Sequence, residues 1–487
     1  MPDAAAATKP DRHPHVGPGP RARAGYRAGM PTPDPVPPTA TARPAAAGLP
    51  LALPPAVEAA RVIDAVLADL ASGEHRGVVV DSPPGAGKST LVVRAAGVLA
   101  EAGDPLMIIA QTNEQVDDLI HRLGVASPQL RVGRLSAVDY VASERVRAHP
   151  ACRVGAKVPD LQEPAVTIGT AAKWATVTDG EWPWAIVDEA YQMRSDALLR
   201  VAARFSRALF VGDPGQLDPF STVEVDRWRS LSWDPVQSAV AVLLRHNPDL
   251  PVHRLPVSWR LPHSAAPVVA AAFYPFTSFR SGTGPGDRSL SFDEPAVCDL
   301  DAVLDTAAAT GWGLHELPAR FTVRTDAEAA TACATLAARA LSRSSQVRSE
   351  SGSGRLDASR IAIGAAHRDQ VAAVRALLPA EAAGITVDTA NRLQGREYDL
   401  TVVLHPLSGR RDATAFHLEA GRLCVLTSRH RHACVVVART GIAELLDAHP
   451  STEPVHLGVP VRFPDGWEAN QSMLAHLAGV RAGLKIP

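Results

Sequence analysis

Cysteine is scarce and scattered, with five residues (Cys152, Cys298, Cys333, Cys424, Cys434) in 487 and no CxxC pair. That spacing excludes a disulfide framework or a zinc knuckle. It fits a reducing cytosol, where free cysteines serve as small buried apolar side chains. A run of about 18 apolar residues is also missing, so no segment is expected to span a membrane. Neither sign of charge dominates: 49 Lys and Arg face 51 Asp and Glu, for a formal net charge of −2. A chain that coats itself with duplex DNA is more basic than this, so any nucleic-acid contact is expected in a local groove. Residues 1–50 have almost no large apolar side chains and are rich in Ala, Pro, Gly and Arg. Such a stretch cannot bury enough surface to offset its chain entropy, and a disordered tail is expected. It is as poor in acids as a transit peptide, but its prolines spoil an amphipathic helix and it has no apolar signal core.

What remains is ordinary globular composition, 46% hydrophobic and 21% charged, with length for roughly three domains. The helical pattern AVEAARVIDAVLADLA (56–71) leads into GVVVD at 77–81. Further apolar runs follow: LMIIA (106–110), VTIG (166–169), WAIVD (184–188) and ALFVG (208–212). Helical periodicity fills several gaps, as at Leu91, Ala95 and Leu99. Strands alternating with helices predict an α/β fold with a parallel sheet. A second series, RIAIG (360–364), ITV (385–387), LTVVL (400–404) and CVVVA (434–438), predicts a second such sheet. The expected division is 51–250 and 251–448, with an extension at 449–487 of no evident role. Short accessory insertions are expected near 125–165 and 280–320, and a polar flexible loop at 342–355.

The strand GVVVD runs straight into Ser82, Pro83, Pro84, Gly85, Ala86, Gly87, Lys88, Ser89 and Thr90, and a helix follows. A loop so placed aims backbone N–H groups and a helix dipole at phosphate oxygens. Gly85 and Gly87 permit close approach of backbone to phosphate. Lys88 can reach the outer phosphates and the Ser89 hydroxyl can ligate Mg²⁺. Ser82 stands where the usual pattern has its first glycine. WAIVDEAYQM supplies the carboxylates: Asp188 to hold the metal, Glu189 to orient and deprotonate the attacking water.

Taken in order, the motifs resemble those of superfamily 1 helicases, in the branch of RNA-decay helicases and DNA-replication nuclease-helicases. The resemblance covers roughly residues 55–445 and implies two tandem RecA-like P-loop domains that hydrolyse ATP between them. AQTNEQVDDL (110–119) is similar to motif Ia and GTAAKWA (169–175) to motif Ic, which implies strand contacts by Thr112, Asn113 and Thr170. DEAYQ matches the family's DExxQ, with Gln192. FVGDPGQLDPF (210–220) resembles motif III and implies that Gln216 senses the γ-phosphate. LPVSWRLP (255–262) resembles motif IV, with Trp259 in place of tyrosine and Arg260 as the first arginine from the second domain. In IGAAHRDQVAAV (363–374) Gln370 matches a further family glutamine. ITVDTANRLQGREYDLTVVL (385–404) is similar to motif V: Thr389 on the strand, Gln394 and Gly395 beside ATP, Glu397 on the ribose. GRLCVLTSRHRHACVVV (421–437) resembles motif VI, with Arg429 as second arginine finger and departures at Cys424 and Ser428. No glutamine precedes the phosphate loop, where Ala56 and Val57 stand, so the sequence names no reader of the adenine edge.

The resemblance therefore implies an ATP- and Mg²⁺-dependent helicase or translocase, monomeric in its core, on single-stranded DNA or RNA without sequence preference. Two alternatives stay open at this point. One is a remodelling ATPase that does not unwind duplex; the other is an ATP-binding switch or scaffold.

Overall fold

The apolar runs become buried parallel strands because helices cover both faces of each sheet. The computed structural model describes residues 53–219, 237–323, 325–450 and 465–482. The stretch 1–50, Phe220 at the end of FVGDPGQLDPF, and much of 449–487 lie outside the described residues.

Eight strands form the first sheet: β1 (Gly77–Asp81), β2 (Leu106–Ala110), β3 (Val132–Leu135), β4 (Cys152–Gly155), β5 (Val166–Thr170), β6 (Trp182–Asp188), β7 (Phe205–Gly212) and β8 (Val252–Arg254). Their order is β4-β3-β5-β2-β6-β7-β1-β8, and every pairing is parallel. Alternate residues serve opposite faces. Val78, Val80, Ile108 and Leu209 pack against the helices Pro55–Ser72, Lys88–Glu101 and Asn113–Ala126. Val79, Ile109, Val187 and Phe210 face Trp174, Val201 and Val240 on the other side.

The chain continues with β9 (Val257–Ser258), β10 (Arg280–Ser281), β11 (Ser289–Phe292), β12 (Trp312–Leu317), β13 (Ser345–Ser349), β14 (Gly352–Arg355), β15 (Ile361–Ala365), β16 (Thr386–Thr389), β17 (Tyr398–Leu404) and β18 (His430–Arg439). The second sheet, β12-β18-β17-β15-β16, is again parallel throughout. Strands β9 and β10 form a short parallel pair, while β11, β13 and β14 make a small antiparallel sheet.

Four expectations change. The stretch 125–165 is not an accessory insertion: β3 and β4 pair onward from β5 and extend the first sheet. The four-residue strands are too short to show a period in sequence. The polar stretch 342–355 is the β13–β14 hairpin, whose ladder with β11 outweighs the weak strand preference of Ser and Gly. The first sheet reaches past residue 250, because β8 pairs with β1. From the extension, the helix Gly466–Ala482 packs Ala469, Met473 and Leu477 into one core of the second sheet.

Parallel strands bring all their carboxyl ends to one edge, where open α/β sheets bind ligands. In the first sheet that edge carries Asp81, Ala110, Thr170, Asp188 and Gly212. In the second sheet Glu397 and Arg429 precede β17 and β18, at the opposite end of their strands from Thr389 on β16.

Candidate nucleotide and strand site

Gly85 and Gly87 take positive φ of 70° and 90°, which glycine adopts without steric cost, and Gly87 caps the helix that starts at Lys88. Ser82, 2% exposed, donates its N–H to the Gly212 carbonyl at 2.8 Å, so a small side chain fits there. The loop has a roof. Ser258 Oγ donates to the Pro84 carbonyl at 2.5 Å and Trp259 N–H to the Gly85 carbonyl at 2.9 Å. A Cβ on Gly85 would overlap Arg260. The Arg260 segment is therefore docked on the phosphate loop, and the expectation that it belongs to the second domain alone is corrected. It is the crossover: Leu255 lies in the first core and Leu261 in the second. Arg280, on the strand paired with β9, anchors it further through Glu58 at 2.7 Å.

Lys88 Nζ pairs with Glu189 Oε1 and lies 3.7 Å from Asp188 Oδ1. Burial pulls the ammonium pKa down, but the two carboxylates outweigh it and the net direction is up. Burial raises the Asp188 pKa, and the nearby Lys88 offsets this only in part. Glu189 holds φ at +53°, a left-handed backbone that non-glycine residues keep only when surroundings enforce it. Gly212 packs beneath, where a Cβ would come within 3.0 Å of Ala190 N. Asp188 Oδ1 is buried without a hydrogen-bond partner, and Ser89 is half-buried beside Lys88. No cluster of three His, Cys, Asp or Glu that could hold a metal ion occurs among the described residues. One orphaned carboxylate oxygen and one hydroxyl suit Mg²⁺ held largely by substrate phosphates and water, rather than by a protein cage.

Beyond β7, Gln216 Nε2 donates to Asp213 Oδ2. Asp213 Oδ1 accepts from Tyr274 Oη at 2.6 Å and from Gly215 N–H at 3.0 Å. Burial pushes the Asp213 carboxyl up to about 6 despite those donors. Arg260 Nε faces Glu397 Oε2 at 3.4 Å. Burial, then the charge of Arg429, lower its pKa to about 10. The Arg429 side chain is buried and donates to the Val425 carbonyl at 3.1 Å and to Ser428 Oγ at 3.0 Å. Burial lowers its pKa, opposed by Cys424, Asp213, Tyr274 and Glu189. Both arginines thus stand within electrostatic reach of the residues around Lys88. Glu397 also pairs with Arg431 at 3.0 Å. Gly395 has φ of +77°, and Gln394 Nε2 is buried without a partner.

The candidate strand contacts sit at helix starts. Thr112 Oγ1 accepts from Gln115 N–H at 3.2 Å in a capping box, and Thr170 Oγ1 accepts from Lys173 N–H at 3.2 Å. These caps satisfy backbone donors in the absence of any strand. Asn113 Oδ1 accepts from buried Arg134 at 3.1 Å. Thr389 starts the short helix Ala390–Leu393 with no side-chain cap bond. Thr112 follows β2 and Thr170 ends the neighbouring β5, and Glu114 meets Arg396 at 3.2 Å, joining this edge to the motif V segment. Sequence reasoning assigned nothing to Asp213, although it stands inside FVGDPGQLDPF, and nothing to Tyr274, which no motif marks.

Residues 64–228 match a protein family described as an AAA domain, a span holding the phosphate loop, Asp188–Glu189 and Asp213–Gln216. The match covers under half of the chain and agrees with a P-loop NTPase domain in its first half. No curated protein matches the chain. Among solved structures it is similar to arterivirus nonstructural protein 10, a helicase, in complex with DNA. That similarity has 15% identity and TM-score 0.41, over 80% of this chain and 65% of that one. It is also similar to the PRRSV helicase, at 14% identity and TM-score 0.40, over 88% and 70% respectively. The chain spans less than two thirds of the arterivirus chains, at 65% and 61%.

Proposed function

We propose that this protein is an ATP hydrolase of the superfamily 1 helicase type that moves on single-stranded DNA or RNA. One juxtaposition supports the reading: Arg260 and Arg429, from the crossover and the second half, lie within charge range of Asp213, and Arg429 of Glu189. Lys88, Ser89, Gly85 and Gly87 would hold the phosphates. Asp188 and Ser89 would hold Mg²⁺, which supplies charge neutralisation between phosphate oxygens. Glu189, once the phosphates draw Lys88 away, would accept the proton of the attacking water. Gln216 would read the γ-phosphate, and Gln394, Gly395 and Glu397 would border the nucleotide. The arginines would meet charge that develops only in the transition state. Thr112, Asn113, Thr170 and Thr389 would hold the strand through its backbone. The five free cysteines fit a reducing compartment such as the cytosol.

The test is ATP turnover titrated with matched single-stranded DNA and RNA. Turnover should rise with strand, Lys88→Ala should abolish it, and Arg429→Lys should cut kcat by about 10³ while nucleotide still binds. Turnover indifferent to both nucleic acids at low salt would count against the reading. A non-unwinding remodelling ATPase is the second reading. It is favoured because residues 125–165 extend the first sheet, which leaves, among the described residues, the three-stranded β11–β13–β14 sheet and the short β9–β10 pair outside the two large sheets. Unwinding of a forked duplex separates the two.

A further inference from the structure

The loop after β7 starts in the first half and ends inside the second. Leu217 is buried among Leu261, Tyr274, Ala420 and Leu423. Gly421 lies so close to the Gln216 carbonyl that a Cβ there would overlap it. A Cβ on Gly215 would run into the Tyr274 ring, and Glu419 Oε1 accepts from Asp218 N–H at 3.0 Å. Residues 213–218 are thus a plug of the first half seated in the second. At its root is the Asp213 carboxylate, 3% exposed, taking donors from Tyr274, Gly215 and Gln216. Tyr274 ends the helix Ala266–Phe273, which packs on the second sheet's core. Among the described residues its hydroxyl is the second half's one side-chain donor to Asp213. Lys88, Glu189, Arg260 and Arg429 face the same carboxylate through charge alone, while the Cys424 thiol lies 3.6 Å from the Tyr274 hydroxyl.

We infer that Tyr274 is a positioning residue that couples the nucleotide site to the strand track, by fixing Asp213 and through it the amide of Gln216. While Tyr274 donates to one carboxylate oxygen, Asp213 cannot turn. One Gln216 N–H is then held on the other oxygen, and the rest of its amide stays aimed from a fixed point. When the second half shifts under a bound strand, Tyr274 moves with it and the amide is released or redirected. By reciprocity, nucleotide must alter strand affinity by the same factor as strand alters nucleotide affinity. The inference rests on the ATPase reading above.

Tyr274→Phe removes one hydroxyl and keeps the ring over Gly215. The measurements are affinity for a fluorescent single-stranded oligonucleotide with and without a non-hydrolysable ATP analogue and Mg²⁺, and strand-stimulated kcat and KM. In the wild type the analogue should change strand affinity by about fivefold or more. In Tyr274→Phe that factor should fall towards one and kcat by about tenfold, with KM for ATP and nucleotide-free strand affinity within about twofold. Leu217→Ala, which loosens the plug without touching Asp213, should lower the factor too. A Tyr274→Phe protein of unchanged melting temperature with the wild-type factor and kcat overturns the inference. So does a raised KM at unchanged kcat, which would mark a nucleotide-binding role. A wild type with neither stimulation nor coupling is a separate result, which removes the ATPase reading and the inference with it.

Discussion

A lysine that is to neutralise a triphosphate must stay charged before the triphosphate arrives. Lys88 is kept so by Glu189 and Asp188, and on the proposed reading the same contacts would hold Glu189 back until phosphate competes for the ammonium. Asp213 shows the opposite sign: its folded pKa, about 6, lies above its ordinary 3.8 because burial disfavours the ion. Stability from the neutral form is full below pH 3.8 and is lost as pH rises through about 6. At about 1.4 kcal/mol per unit, the ionised group costs the fold up to about 3 kcal/mol at neutral pH. Asp213→Asn should therefore gain stability over the wild type between pH 4 and 7, in urea unfolding at steps of one unit, and the gap should then level off. A gap independent of pH would show that Asp213 does not titrate there. The phosphate-loop and strand-end residues stand out in sequence because the chemistry proposed for them is local. Tyr274 does not, since its importance comes from a partner 61 positions away.

Buried parallel strands announce themselves as unbroken apolar runs, and β1, β2, β5, β6, β7, β15, β17 and β18 were all legible for that reason. Edge strands carry no such signal. In β4 Arg153 and Val154 are exposed and only Gly155 is buried, so a half-solvated four-residue strand reads as loop. The hairpin β13–β14 reads as polar linker because it draws stability from register rather than composition. The helix Gly466–Ala482 is a different case: a short helical pattern is readable there in the sequence, but the surface that Ala469, Met473 and Leu477 cover is not. Met473 is fully buried against the second sheet's helices. Met473→Ala should cost about 2–5 kcal/mol by urea unfolding, since the cavity can relax only in part. A loss under about 1 kcal/mol would mean that the helix is an appendage and not part of the core.

At the scale of the molecule, the net charge of −2 and the neutral character of the threonine contacts proposed here bear on the same property. Affinity for nucleic acid falls with salt only as far as cations on the protein displace counterions. Thr112, Thr170 and Thr389 displace none. The cations beside them are Lys173, one turn past Thr170, Arg392, with a side chain 68% exposed, and Arg396, 44% exposed. Arg396 spans the two halves through Glu114, so a strand lying there would touch both. With about 0.7 of an ion released per cation on single strands, the three predict a slope near −2 in log affinity against log salt. The reading is fluorescence anisotropy of a labelled oligonucleotide across a salt series. Arg392→Ala and Arg396→Ala should each flatten the slope by about 0.7. A slope steeper than about −4 that neither variant changes would put the strand on another basic surface, and the threonine edge would then be only a row of helix caps.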